Sequence, residues 1–143
     1  MKGLVNLGNT CYMNSGIQLL LNIPEVCNLI IQNHIKSNEL EQMKKFIIKY
    51  HNPEKKILKP KFIKNIVAKR NNIFIGYSQE DSWEFIIFLL DFFDNQLKNN
   101  LVNNILGIKM KSIVKCKIAQ CLNTSITKNV SLFLKLHIKK SFN

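Results

Sequence analysis

Arginine is nearly missing from this chain: only Arg70 among 21 basic residues in 143. Reading base edges and gripping phosphates in a two-pronged fork both draw on arginine. The formal net charge of +12 therefore does not by itself indicate a sequence-specific nucleic-acid reader. The lysines are spread along the chain, in a composition rich in Lys, Asn and Ile, and most are expected on solvated faces. Weak non-specific affinity for polyanions follows from the charge alone. Long hydrophobic runs are also missing. The longest is Phe85–Leu90, far too short to span a bilayer. Residues 1–10 hold no apolar signal-peptide core, so the chain is expected to be intracellular, in cytoplasm or nucleus, with no membrane contact. Four cysteines (Cys11, Cys27, Cys116 and Cys121) without a secretory signal do not support a disulfide framework. No internal repeat and no interdomain linker interrupt the sequence. Its length suits one domain or part of one.

What remains is mostly helical periodicity. A first helix is expected over 11–22, ended by Asn22-Ile23-Pro24, with Tyr12, Ile17, Leu20 and Leu21 inward. Pro24 and Glu25 open a second, to about Ile35. Its apolar residues are Val26, Cys27, Leu29, Ile30 and Ile31, with Cys27 read as core. A third runs from Asn38 to about Tyr50, with Leu40, Met43, Phe46, Ile47 and Tyr50 at helical spacing. Pro60 starts a fourth, bearing Phe62, Ile63, Ile66 and Val67. Residues 73–78 read as a short extended link. Ser78 is the candidate cap of a fifth helix over about Gln79–Leu97, which is expected to be buried on most sides. Beyond it the pattern turns β-rich, in Ile105–Val114 and Val130–Ile138, with Gly107 marking a turn or bulge.

The most informative run is residues 3–15, GLVNLGNTCYMNS. Gly3 and Gly8 permit tight or left-handed turns, and Leu4, Val5 and Leu7 anchor the loop. Asn9 or Thr10 caps the helix that follows. Cys11 then sits at a helix N-terminus, where unpaired N–H groups and the positive dipole end favour a thiolate. Asn6 offers an amide donor to an oxyanion forming beside the sulfur. The bland alternative is a buried, inert cysteine in an ordinary helix start.

This run resembles the cysteine box of the ubiquitin-specific proteases, thiol-dependent deubiquitinases with a papain-like core. A second segment, Gly76–Asp91, resembles the family's QQDAxEFLxxLLD pattern. Gln79, Asp81, Glu84, Phe85, Leu89, Leu90 and Asp91 match, while Glu80 stands where a second glutamine is usual and Ser82 at the small-residue position. In that family this acidic helix start faces the arginine-rich tail of ubiquitin, which carboxylates bind well. The competing reading is that Ser78, Glu80 and Asp81 simply cap the helix. Residues Ser112–Ile138 resemble loosely the entry into the family's fingers region. The Cys116 and Cys121 spacing departs from the usual knuckle and no second pair follows, so neither zinc nor another cofactor is expected from this chain alone.

The resemblance implies an α+β fold: a predominantly helical, thumb-like part over 1–104, then the start of the β fingers and palm over 105–143, as a hairpin or strand pair. It implies Cys11 as nucleophile with Asn6 beside it, and Gln79, Asp81 and Glu84 as ubiquitin-tail residues. No Gly-His-Tyr context is present. His34, His51 and His137 read as surface histidines, with no following Asp or Asn to orient a base. Three functions stay open: a deubiquitinase completed by further sequence or a second chain, a ubiquitin- or partner-binding pseudoenzyme, and, ranked last, a basic nucleic-acid binder.

Overall fold

The computed structural model describes residues 2–34, 37–54, 57–97, 101–118, 121 and 123–132. The chain is α+β and divides into two compact units, Met1–Leu101 and Val102–Asn143.

The first unit opens with β1 (Gly3–Leu4), which pairs in parallel with β2 (Ile57–Leu58) in the register Gly3↔Ile57 and Leu4↔Leu58. Three helices cross over between them: α1 (Cys11–Leu21), α2 (Pro24–Gln32) and α3 (Asn38–His51). After β2 come α4 (Lys61–Arg70), a 3-10 turn at Asn72–Phe74, and α5 (Ser82–Leu97). Pro24 fills the first turn of α2, where its missing N–H costs nothing. The Ser37 hydroxyl caps α3 by accepting from Leu40 N.

The core is built where the periodicity predicts it. Leu40, Met43, Phe46, Ile47 and Tyr50 of α3 are all buried, as are Tyr12, Ile17, Leu20 and Leu21 of α1. α1 lies directly on α5, and Gly16 makes this possible. A Cβ at that position would come 2.8 Å from Phe85 Cδ1 and 3.0 Å from Ile86 Cγ1. Phe85 is fully buried, edge-on to both Tyr12 and Phe74 with ring centroids 5.9 Å apart in each pair.

The second unit begins inside α6 (Leu101–Leu106), at Val102, and holds an antiparallel hairpin of β3 (Ile108–Lys115) and β4 (Thr124–Ser131). Its register runs from Ile108↔Ser131 to Lys115↔Thr124.

Several expectations need correction. The second helix stops at Gln32, with extended Asn33 as its C-cap, so His34 follows the helix rather than lying on it. The fourth starts at Lys61 with Pro60 before it, and one residue on its inner side is a lysine: Lys64 is buried with Ile63, Ile66 and Val67. The 73–78 link is a 3-10 turn followed by bends. Ser78 is not the cap of the fifth helix. That helix begins at Ser82, because Asp81 Oδ1 accepts from Trp83 N (2.6 Å) and Glu84 N (3.1 Å). Gly3 lies in a strand, not a turn. Ile105 and Leu106 are helical rather than extended, and the second strand begins at Thr124, before Val130. Residues 133–138 of the expected strand, with His137, lie outside the described residues.

Candidate active site

Residues 5–11 form a loop closed by side chains. Asn6 Oδ1 accepts three hydrogens: from Gly8 N (3.2 Å), Thr10 N (2.9 Å) and the Thr10 hydroxyl (2.9 Å). Three donors on one atom fix which end of the amide is oxygen, so Nδ2 is the donor end and stays on the exposed side. The Thr10 hydroxyl in turn accepts from Leu7 N at 2.8 Å.

Thr10 thus occupies the position before α1 without capping it. Its hydroxyl is used by the loop, and among the described residues no side chain caps the first N–H groups of α1. The first intrahelical bond to cross this boundary runs from Asn14 N to Thr10 O (3.0 Å). Cys11 therefore stands exposed on an uncapped helix N-terminus, where N–H groups and dipole stabilise negative charge. Gly8 and Asn9 make the turn that delivers it, with φ of 104° and 45°. Asn14 ties the helix back to the N-terminal strand by donating to Leu4 O (3.3 Å) and Val5 O (3.2 Å).

The second motif comes to the same place. Cys11 Sγ donates to Gln79 Oε1 at 3.2 Å, and Asn9 Nδ2 donates to Tyr77 O at 3.0 Å. Asp81 spends one carboxylate oxygen on the cap of α5, and Glu84 is exposed in the first turn of that helix. Of the predicted site residues, Cys11 and Gln79 are in direct contact. Asn6 reaches the cysteine through the Thr10 it holds.

Glu80, one of the departures from the family pattern, acts electrostatically beneath the site. Burial raises the Tyr12 phenol above its usual pKa, and the negative charge of Glu80, then Cys11, adds to this. Burial lowers the Lys64 ammonium, against an upward pull from Glu80. Lys64 Nζ donates to Phe74 O (2.7 Å) and to Tyr12 Oη (3.2 Å). It thereby ties the 3-10 turn to the residue that follows Cys11. Only a helix-wheel position hinted at this: Lys64 falls between Ile63 and the Ile66-Val67 pair.

Of the two described histidines, His34 is exposed, and His51 Nε2 lies 3.7 Å from the Sγ of buried Cys27. Neither is hydrogen-bonded to Cys11. Burial raises the Cys27 thiol, which suits a core residue. At the hairpin tip the Cys116 thiol is lowered, first by a hydrogen bond with Cys121 and then by one with the Ile118 backbone. Among the described residues no group of three or more His, Cys, Asp or Glu is arranged to hold a metal, and no helix is long and apolar enough to cross a membrane.

Residues 2–141 match the ubiquitin carboxyl-terminal hydrolase family. The chain belongs to this family. Within the ubiquitin carboxyl-terminal hydrolases it is similar to the probable ubiquitin carboxyl-terminal hydrolase 1 of Schizosaccharomyces pombe, 34% identical over 102 residues, covering 62% of this chain and 12% of that protein. It is 37% identical over 110 residues to ubiquitin carboxyl-terminal hydrolase 19 of Homo sapiens (62% of this chain, 8% of that one). It is 30% identical over 121 residues to ubiquitin carboxyl-terminal hydrolase 6 of Schizosaccharomyces pombe (80% and 26%). The chain thus spans about a quarter or less of the length of these relatives.

Proposed function

We propose that this chain is part of a thiol-dependent deubiquitinase, in which Cys11 attacks the carbonyl of the C-terminal glycine of ubiquitin. The observation that carries the reading is the exposed Cys11 on an uncapped helix start, inside a loop ordered by Asn6. The Cys11 thiolate adds to the carbonyl carbon and the carbonyl electron pair moves to oxygen. Asn6 Nδ2 and the free N–H groups of α1 stabilise that oxyanion. Collapse expels the protonated amine and leaves a thioester, which water hydrolyses to restore the thiol. Gln79, Asp81 and Glu84 hold the basic tail, with Asp81 using the carboxylate oxygen that the cap leaves over.

The step that takes the thiol proton and protonates the leaving amine needs a general base and acid. In this reading a histidine from a further part of the protein, or from a second chain, supplies it. The short share of the relatives that this chain spans supports that division. A second reading, a ubiquitin-binding pseudoenzyme, draws support from the Cys11–Gln79 bond, which engages the thiol in a resting contact.

Ubiquitin carrying a thiol-reactive C-terminal group, mixed with the native chain and with Cys11→Ala, separates the two by intact mass. A ubiquitin adduct on the native chain alone supports the enzyme. No adduct from a folded chain that still binds ubiquitin by titration calorimetry, equally well with Cys11→Ala, supports the pseudoenzyme. Neither adduct nor binding overturns both.

A further inference from the structure

Tyr77 looks free by exposure, at 66%, yet it is held in two ways. Its carbonyl accepts from Asn9 Nδ2 at 3.0 Å. Its ring rests on Gly8, where a Cβ would come within 3.0 Å of Tyr77 Cδ1. Both partners are the positive-φ residues of the cysteine loop, Gly8 and Asn9. Gly8 gives the ring a flat seat because it has no side chain, and Asn9 in the left-handed region has its amide donating to the Tyr77 carbonyl. Two residues further on, Gln79 Oε1 takes the Cys11 thiol hydrogen. Both hydrogen bonds join residues 68 apart, across a stretch from Ile75 to Asp81 that has no helix or strand of its own.

We infer that Tyr77 is a positioning residue: clipped onto Gly8 and Asn9, it holds the 75–81 segment so that Gln79 engages Cys11. An exposed glutamine on an irregular segment otherwise loses such a contact to rotamer and backbone freedom. The ring and the carbonyl of Tyr77 remove that freedom next to the reacting sulfur. The inference deepens the proposed function at the same site, and its first readout is the thiol itself, so it is tested whether or not ubiquitin reacts.

The experiment measures the rate of iodoacetamide alkylation at Cys11 across pH, read on the Cys11 peptide of the full chain. The variants are Gln79→Ala, Tyr77→Ala, the double variant, Tyr77→Phe and Asn9→Gly. A thiol hydrogen bond favours the unreactive protonated form, so Gln79→Ala is expected to speed alkylation at neutral pH by about threefold or more. Tyr77→Ala and Asn9→Gly should give most of the same factor. The double variant should exceed neither single one, because both break one coupled unit. Tyr77→Phe, which keeps the ring, should match the native chain. Buried Cys27, unreactive in every variant, reports that the fold is kept. Tyr77→Ala at the native rate, factors that multiply in the double variant, or an unaltered Gln79→Ala each overturn the inference. Absence of a ubiquitin adduct in the native chain overturns the proposed function instead and leaves this result standing.

Discussion

The Asn6 amide oxygen gathers the Gly8 N–H, the Thr10 N–H and the Thr10 hydroxyl, and Thr10 is fully buried. If that oxygen is removed, the two Thr10 donors have no water to turn to. Asn6→Ala should therefore destabilise the fold by about 1–3 kcal/mol, the cost of orphaning buried donors. Asn6→Asp keeps the acceptor and should hold the melting midpoint near the native one. Thermal denaturation of the two variants checks this. If Asn6→Ala melts like the native chain, the oxygen is not what orders the loop. At this scale the sequence was partly readable. The Asn6-Leu-Gly-Asn-Thr-Cys11 run announced a turn and a cysteine at a helix start. It also suggested a Thr10 or Asn9 cap that does not form. Thr10 gives its hydroxyl to the loop, donating to Asn6 and accepting from Leu7 N, and Asn9 gives its amide to Tyr77, 68 residues away.

Between elements, the same distinction separates what a pattern shows from what it hides. The third helix was legible because five apolar residues at helical spacing leave one face to bury. The start of the fifth was not. Ser78 is as good a cap as Asp81 by type, but Tyr77 and Gln79 are held by the cysteine loop, which keeps the chain out of helix until Asp81. The end of α6 was hidden for a local reason. Ile105 favours strand by composition, yet Leu101–Leu106 closes as helix and Gly107 N bonds Asn103 O (2.8 Å). At Gly107 a side chain would collide with Asn103 O. The close approach of α1 to α5 gives the clearest prediction. Gly16→Ala gains helix propensity of about 1 kcal/mol, but its methyl lands 2.8 Å from the ring of fully buried Phe85. Overpacking of a rigid core costs about 1–3 kcal/mol, so a net loss of stability is expected, larger still for Gly16→Val. Urea denaturation showing Gly16→Ala as stable as the native chain would mean that α5 moves away from α1 freely.

Over the whole molecule, charge is divided unevenly. All nine acidic residues lie in residues 1–101, while residues 102–143 hold eight lysines and no acid. The β3–β4 register makes this imbalance specific, since Lys111 faces Lys128 directly and both are exposed. Like charges on opposed positions weaken a strand pair, whereas opposite charges add roughly 0.2–1 kcal/mol. Lys128→Glu should therefore slow amide hydrogen exchange in β3 and β4 at low ionic strength. In about 1 M salt the Debye length falls to about 3 Å, and most of that gain should vanish. Adding Lys111→Glu to Lys128→Glu restores a like-charged pair and should return exchange towards the native rate. A gain of equal size at both salt concentrations would point to strand propensity rather than charge. A gain that survives the double reversal would mean that the field of the whole basic unit, and not this one pair, sets the stability of the hairpin.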